Sequence, residues 1–140
     1  MTLRYVTPED ATAVFQLVQM LNSDSFSYEE FLQAYHHNLK AAHCMAAVIE
    51  DKIVGIGILL IEYPLHHSKR MAEITELVVD GSFRSLGIGK ALVNEMSHIA
   101  LENHCGGIEV ASNQKRLAAH RFYEREGFIN THYKLTKKLL

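Results

Sequence analysis

Seven residues, Arg84-Ser85-Leu86-Gly87-Ile88-Gly89-Lys90, constrain this chain more than any others. They follow a strand-like run, Ala72 to Asp80, whose end Leu77-Val78-Val79 is continuously apolar, as expected for a strand covered on both faces. They also open a stripe of Ile88, Ala91, Leu92, Met96, Ile99 and Ala100, whose three- and four-residue spacing predicts a long amphipathic helix to Asn103. Gly106-Gly107 reads as the stop of that helix and Ile108 to Ser112 as the next strand. Strand, helix and strand in this order imply a right-handed parallel crossover. Glycines at a helix start leave amide hydrogens uncovered, so the loop is a candidate phosphate or pyrophosphate cradle.

The rest of the chain supplies the other layers. Thr2 to Thr7 alternates like a short strand, and Pro8-Glu9-Asp10 suits a helix start. Ala11, Val14, Leu17, Val18 and Leu21 then share one stripe, and Asn22-Ser23-Asp24-Ser25 is expected to end it. Ser27 with Glu30 forms a capping-box pattern ahead of a second stripe of Tyr28, Phe31, Leu32, Tyr35 and Leu39, predicting a helix to about Asn38. Cys44 to Glu50 and Ile53 to Glu62 read as strands joined by a hairpin at Asp51-Lys52. Gly55 and Gly57, two apart on one face, invite a close backbone or a ligand, or mark a bulge or twist. Arg116 to Glu126 reads as a short helix ending at Gly127, and Phe128 to Leu139 as a last strand in which Tyr133 and Leu135 alternate. The expected fold class is mixed α/β: a mostly antiparallel sheet with one parallel βαβ crossover and helices on both faces.

Composition narrows the function classes. The 140 residues suit a single domain over 1–140, and 48% apolar with 21% charged residues is ordinary globular usage. Fourteen Lys plus Arg against sixteen Asp plus Glu leave no basic surplus, so no nucleic-acid partner is expected. The longest apolar stretch, Ile56 to Ile61, is far short of the roughly 20 residues that cross a bilayer, so no membrane role is expected either. The first ten residues carry no apolar signal core, which points to the cytoplasm and to reduced Cys44 and Cys105.

Three phosphate-binding families compete for the glycine loop. A nucleotide P-loop needs glycine where Arg84 stands and Ser or Thr where Ala91 stands, so that reading fails twice. A dinucleotide fingerprint needs a small residue where Leu92 stands, which makes it weak. The pattern Arg-x-x-Gly-x-Gly behind Leu77-Val78-Val79 resembles the acetyl-coenzyme A loop of the GCN5-related N-acetyltransferases. A second run, Ser112-Asn113 and then Ala119-His120-Arg121-Phe122-Tyr123-Glu124-Arg125-Glu126-Gly127-Phe128, is similar to that family's second signature. Pro64-Leu65-His66-His67, Glu73 to Val79 and Ala118 to Tyr123 look most like the aminoalkylphosphonate N-acetyltransferases within it.

The resemblance implies acetyl transfer from acetyl-coenzyme A to a primary amine, by direct attack in one ternary complex. The pyrophosphate would lie on the amides of Leu86, Gly87, Ile88, Gly89 and Lys90, with Arg84, Ser85 and Lys90 around it. The pantetheine arm would pair with Leu77, Val78 and Val79, and Asn113 would bond its amides unless an Asx turn engages it. Tyr123 matches the family tyrosine that protonates the departing thiolate. Glu73 and Glu76 are candidate general bases; being three apart on a strand, they are expected on opposite faces, with at most one in the cleft.

His66, His67, His120 and Arg121 could recognise a phosphonate, directly or through a divalent metal, although adjacent histidines have no diagnostic ligand spacing and surface histidines are the plainer reading. Other acceptors (a protein N-terminus or lysine, an aminoglycoside, a polyamine) and a silent coenzyme A sensor stay open. The apolar last strand also suggests a homodimer.

Overall fold

The computed structural model describes residues 1–21 and 25–140. Five strands, β1 (Thr2–Tyr5), β2 (His43–Ile49), β3 (Lys52–Glu62), β4 (Arg70–Val79) and β5 (Cys105–Val110), form one sheet in that spatial order. All neighbours are antiparallel except β4 and β5, which the crossover helix α3 (Ile88–Glu102) makes parallel. Helices α1 (Ala11–Val18) and α2 (Tyr28–Ala41) cover one face with a core around Val14, Leu17, Phe31, Tyr35, Ile56, Ile58 and Val78. On the opposite face α3 packs Ile88, Leu92 and Met96 against Val54, Leu59, Ala72 and Ile74, with Phe122 of α4 (Leu117–Arg125) beside them. No helix among the described residues is long and apolar enough to cross a membrane.

Local chemistry explains most of these boundaries. The Ser27 hydroxyl accepts from Glu30 N at 3.0 Å while Glu30 Oε1 accepts from Ser27 N at 3.2 Å, closing the capping box that starts α2. Asp10 performs a similar task before α1: it accepts from Thr7 N at 2.8 Å and takes both Arg4 guanidinium nitrogens, at 2.7 and 3.0 Å. Arg4 therefore holds the Asp10 carboxyl down at about 2. Between α1 and α2 the expected stop at Asn22, Ser23 and Asp24 lies outside the described residues.

Several expectations need correction. The β2–β3 turn is Glu50-Asp51, one residue earlier than expected, and both residues take positive φ, 49° and 63°, as a tight two-residue hairpin requires. His104, at φ 60°, reverses the chain after α3; Gly106 and Gly107 belong to β5 instead. Their missing side chains accommodate Lys69 and Met71, which a Cβ would meet at 3.0 and 2.9 Å. Gly55 and Gly57 make room for α3, and Gly55 for the β4 backbone as well: a Cβ on Gly55 would lie 3.1 Å from Ile88 Cγ2 and 3.2 Å from the Val78 carbonyl oxygen, and one on Gly57 would lie 2.8 Å from Met96 Cε. The last strand does not form: from Ile129 onward the tail has no strand pairing, and Tyr133 and Leu135 are about nine-tenths exposed. Alternation makes a segment suitable for pairing, but a strand exists only where a neighbour supplies the hydrogen bonds.

Candidate active site

The site grows from a discontinuity in β4. Its pairing with β5 ends at Ile74–Val110, whereas its pairing with β3 continues to Val79 opposite Gly55. The β5-side edge from Thr75 to Val79 is thus an open row of backbone groups. One residue is also extra on β4, because Ile58 pairs with Glu76 and the next residue, Leu59, pairs with Ile74. Thr75 forms this bulge, and its hydroxyl lies 3.5 Å from the Ile58 carbonyl that it faces.

The bulge overturns the expectation for the two glutamates. Ala72 and Ile74 face α3, which sends Glu73 to the α1/α2 side. Past Thr75 the alternation resets: Leu77 and Val79 pack on the α3 side while Val78 belongs to the α1/α2 core. Glu76 therefore shares a face with Glu73. It forms part of a cavity of about 280 Å³ walled by Val14 and Val18 of α1, Phe31, Tyr35 and Glu30 of α2, and Ile58 of β3. Desolvation in this apolar setting pushes the Glu76 carboxyl up from its ordinary value.

Beyond the open edge comes the glycine loop. Ser85 and Gly87 both have positive φ, 65° and 78°, and Gly87 stands at the N-cap of α3 with no side chain to cap it. The first amides of a 15-residue helix are thus left to whatever anion approaches, with exposed Arg84 and Lys90 nearby in sequence. Gly89 has a packing role as well, since a Cβ there would meet Phe122 Cζ at 3.3 Å.

From the other side α4 presents Tyr123, half-buried and set edge-on to Phe122 and Phe128, with ring centroids 5.2 and 5.5 Å apart. Burial raises its hydroxyl pKa, partly offset by Arg116, so Tyr123 is a neutral proton donor throughout the physiological range. Asn113 does make the Asx turn: its Oδ1 accepts from Lys115 N at 2.9 Å. Its carbonyl lies 2.8 Å from His120 Nε2, so this histidine ties α4 to the end of β5. The Ser112 hydroxyl, quoted in the second motif without a role, is buried without a hydrogen-bond partner among the described residues. An open strand edge, an uncapped helix and an orphaned hydroxyl just past the end of β5 together fit an extended, amide-bearing, phosphate-ended ligand.

The residues considered for a phosphonate are not brought together. His66 and His67 lie against each other with tilted rings, centroids 4.2 Å apart, in the exposed β3–β4 turn at the opposite end of β4 from the glycine loop. Arg121 is exposed on α4. None of the four lines the cavity. Among the described residues no group of three His, Cys, Asp or Glu could hold a metal ion, so the metal expectation finds no ligand set. Burial raises both cysteine thiols, Cys44 to about 11, which is the wrong direction for a nucleophile.

Comparisons with known proteins agree with this geometry. Residues 12–128 match the acetyltransferase (GNAT) family. An aminoalkylphosphonate N-acetyltransferase of Salmonella typhimurium is 34% identical over 139 residues, which cover 98% of this chain and 90% of that protein. An N-acetylaspartate synthetase of Xenopus tropicalis is 29% identical over 97 residues, 69% of this chain and 34% of the other. A Bacillus halodurans protein described as a transcriptional regulator superposes with a TM-score of 0.86 at 26% identity, covering 99% of both chains. Glucosamine-6-phosphate N-acetyltransferase from Arabidopsis thaliana gives 0.82 at 22% identity over 98% of this chain and 97% of its own, a likeness of fold.

Proposed function

Because the chain belongs to the GNAT acetyltransferase family, whose members use acetyl-coenzyme A as co-substrate, we propose that it moves the acetyl group directly to the primary amine of a small molecule, with Glu76 as base and Tyr123 as acid. The observation that carries this reading is the meeting, at one end of β4, of an open strand edge, an uncapped helix and a desolvated carboxylate. Glu76 takes a proton from the ammonium, and the freed nitrogen attacks the thioester carbonyl. As the C–S bond breaks, the Tyr123 hydroxyl gives its proton to the sulfur. The proton that the nitrogen sheds on becoming an amide restores the phenol, and Glu76 releases its own to solvent. The Leu77–Val79 edge and Asn113 would hold the pantetheine arm, and the α3 amides with Arg84 and Lys90 the pyrophosphate. An aminoalkylphosphonate, suggested by the Salmonella relative, is one acceptor to test. Thiol release from acetyl-coenzyme A is measured across phosphonates, polyamines, aminoglycosides and peptide N-termini, with and without chelator. Thiol release with at least one amine is expected, and no turnover with any amine defeats the reading.

A homodimer is proposed on separate grounds. The tail from Ile129 exposes Tyr133, Leu135 and Leu139, while β5 is an edge strand with one side unpaired. A tail exchanged between two copies would satisfy both. Sedimentation should give a dimer that truncation after Phe128 converts to monomer; a monomeric full chain at micromolar concentration refutes it.

A further inference from the structure

The cavity beside Glu76 has a chemistry of its own. Its wall carries two carboxyl groups, Glu30 and Glu76, and no Lys, Arg or His among the described residues. Helix α1 contains no charged residue. Apolar side chains of Val14, Phe31 and Ile58 make up the surface between. Glu30 stands at the exposed first turn of α2, with one oxygen held by Ser27 N, whereas Glu76 lies deeper on the sheet. Glu30 takes part in no ion pair among the described residues.

Resting on the acetyltransferase reading above, we propose that the acceptor is a linear diamine, one ammonium at Glu76, its methylene chain along the apolar wall, and the second ammonium at Glu30. Hydrocarbon between two cations matches an apolar cavity between two carboxylates. A phosphonate in the same space would put two negative charges near two carboxylates, of which Glu76 is already short of solvent, with no cation among the described lining residues to compensate. The amine that reacts gives up its charge to Glu76, while the distal ammonium keeps its charge throughout and serves to position the chain. Glu30 is thus a specificity residue that never meets the reacting atoms.

The test compares kcat/KM for three acceptors of matched length, an α,ω-diaminoalkane, an alkylamine and an aminoalkylphosphonate, in the wild type and in Glu30→Gln. Glutamine at this position still completes the capping box, so α2 keeps its start, and an unchanged Tm verifies it. The diamine is expected to exceed the alkylamine by about tenfold, which is about 1.4 kcal/mol, with the phosphonate slowest. In Glu30→Gln that advantage should shrink to within about twofold. A phosphonate that reacts fastest, or a diamine advantage that survives the substitution, overturns the proposal. Should no acceptor turn over, the acetyltransferase reading fails instead, and calorimetry with the diamine alone still decides the cavity: weaker binding to Glu30→Gln supports it and equal binding to both proteins refutes it.

Discussion

The two faces of the sheet are built from the same strands yet packed to opposite ends. On the α3 side glycine brings the helix so close that Met96 sits where the Gly57 side chain would be, and the layer is filled around it. On the α1/α2 side Phe31 stacks on Tyr35, whose hydroxyl donates to the Thr7 carbonyl at 2.6 Å, but the layer stops short of filling the space above Glu76. Close packing seats α3 on the sheet, whereas incomplete packing leaves the space in which the proposed acceptor would sit. The Thr75 bulge links the two regimes, because it turns Glu76 onto the open side while the neighbouring Leu77 stays on the filled one.

Four substitutions would break or sharpen this contrast. Glu76→Gln on the open face should lower kcat by roughly 10²–10⁴, the usual worth of a general base, in a steady-state thiol-release assay. It should also raise Tm at neutral pH. Burial raises the Glu76 carboxyl, so the native state loses stability as pH climbs from the ordinary carboxylate range through the raised value, and glutamine avoids that loss. Below the ordinary carboxylate pKa the two proteins should melt alike. A Tm that falls in the variant at neutral pH would mean that Glu76 is structural.

Tyr123→Phe should reduce kcat by about 10² while leaving coenzyme A affinity nearly intact; equal losses in both would remove its acid role. On the filled face Gly57→Val should cost about 1–3 kcal/mol of unfolding free energy by denaturant titration, because the added carbons displace Met96, with kcat per folded molecule preserved. Asp10→Asn, at the start of α1 and outside the cavity wall, should cost about 1 kcal/mol at neutral pH, modest because Arg4 is partly exposed. Since Arg4 holds Asp10 low, its contribution is complete above the ordinary carboxylate pKa and disappears as pH falls toward about 2, so the variant's deficit should vanish there.

Much of this was legible in the residues because it is local. The Ser27–Glu30 capping box, the α2 and α3 stripes and the glycine loop each depend on neighbours within a turn or two, and each forms as expected. Nonlocal features were read less well. Glu73 and Glu76 looked like opposite faces because alternation cannot announce a bulge, which exists only when β3 pairs past Thr75. His66 and His67 were candidates for recognising a phosphonate, with surface histidines the plainer reading, and the turn that carries them is exposed at the far end of β4. His120 was counted with them and instead braces Asn113.

Sequence alone determined the alternation of strand and helix, the parallel crossover and the loop at the helix tip, since these follow from side-chain periodicity and from where glycine leaves amides bare. Only tertiary structure decided which carboxylate meets the cavity, where β4 parts from β5, and that the tail from Ile129 has no partner strand. The reason is that hydrogen-bond pairing across a sheet and the fit of one layer on another are set by residues far apart in the chain, and no local pattern encodes their register.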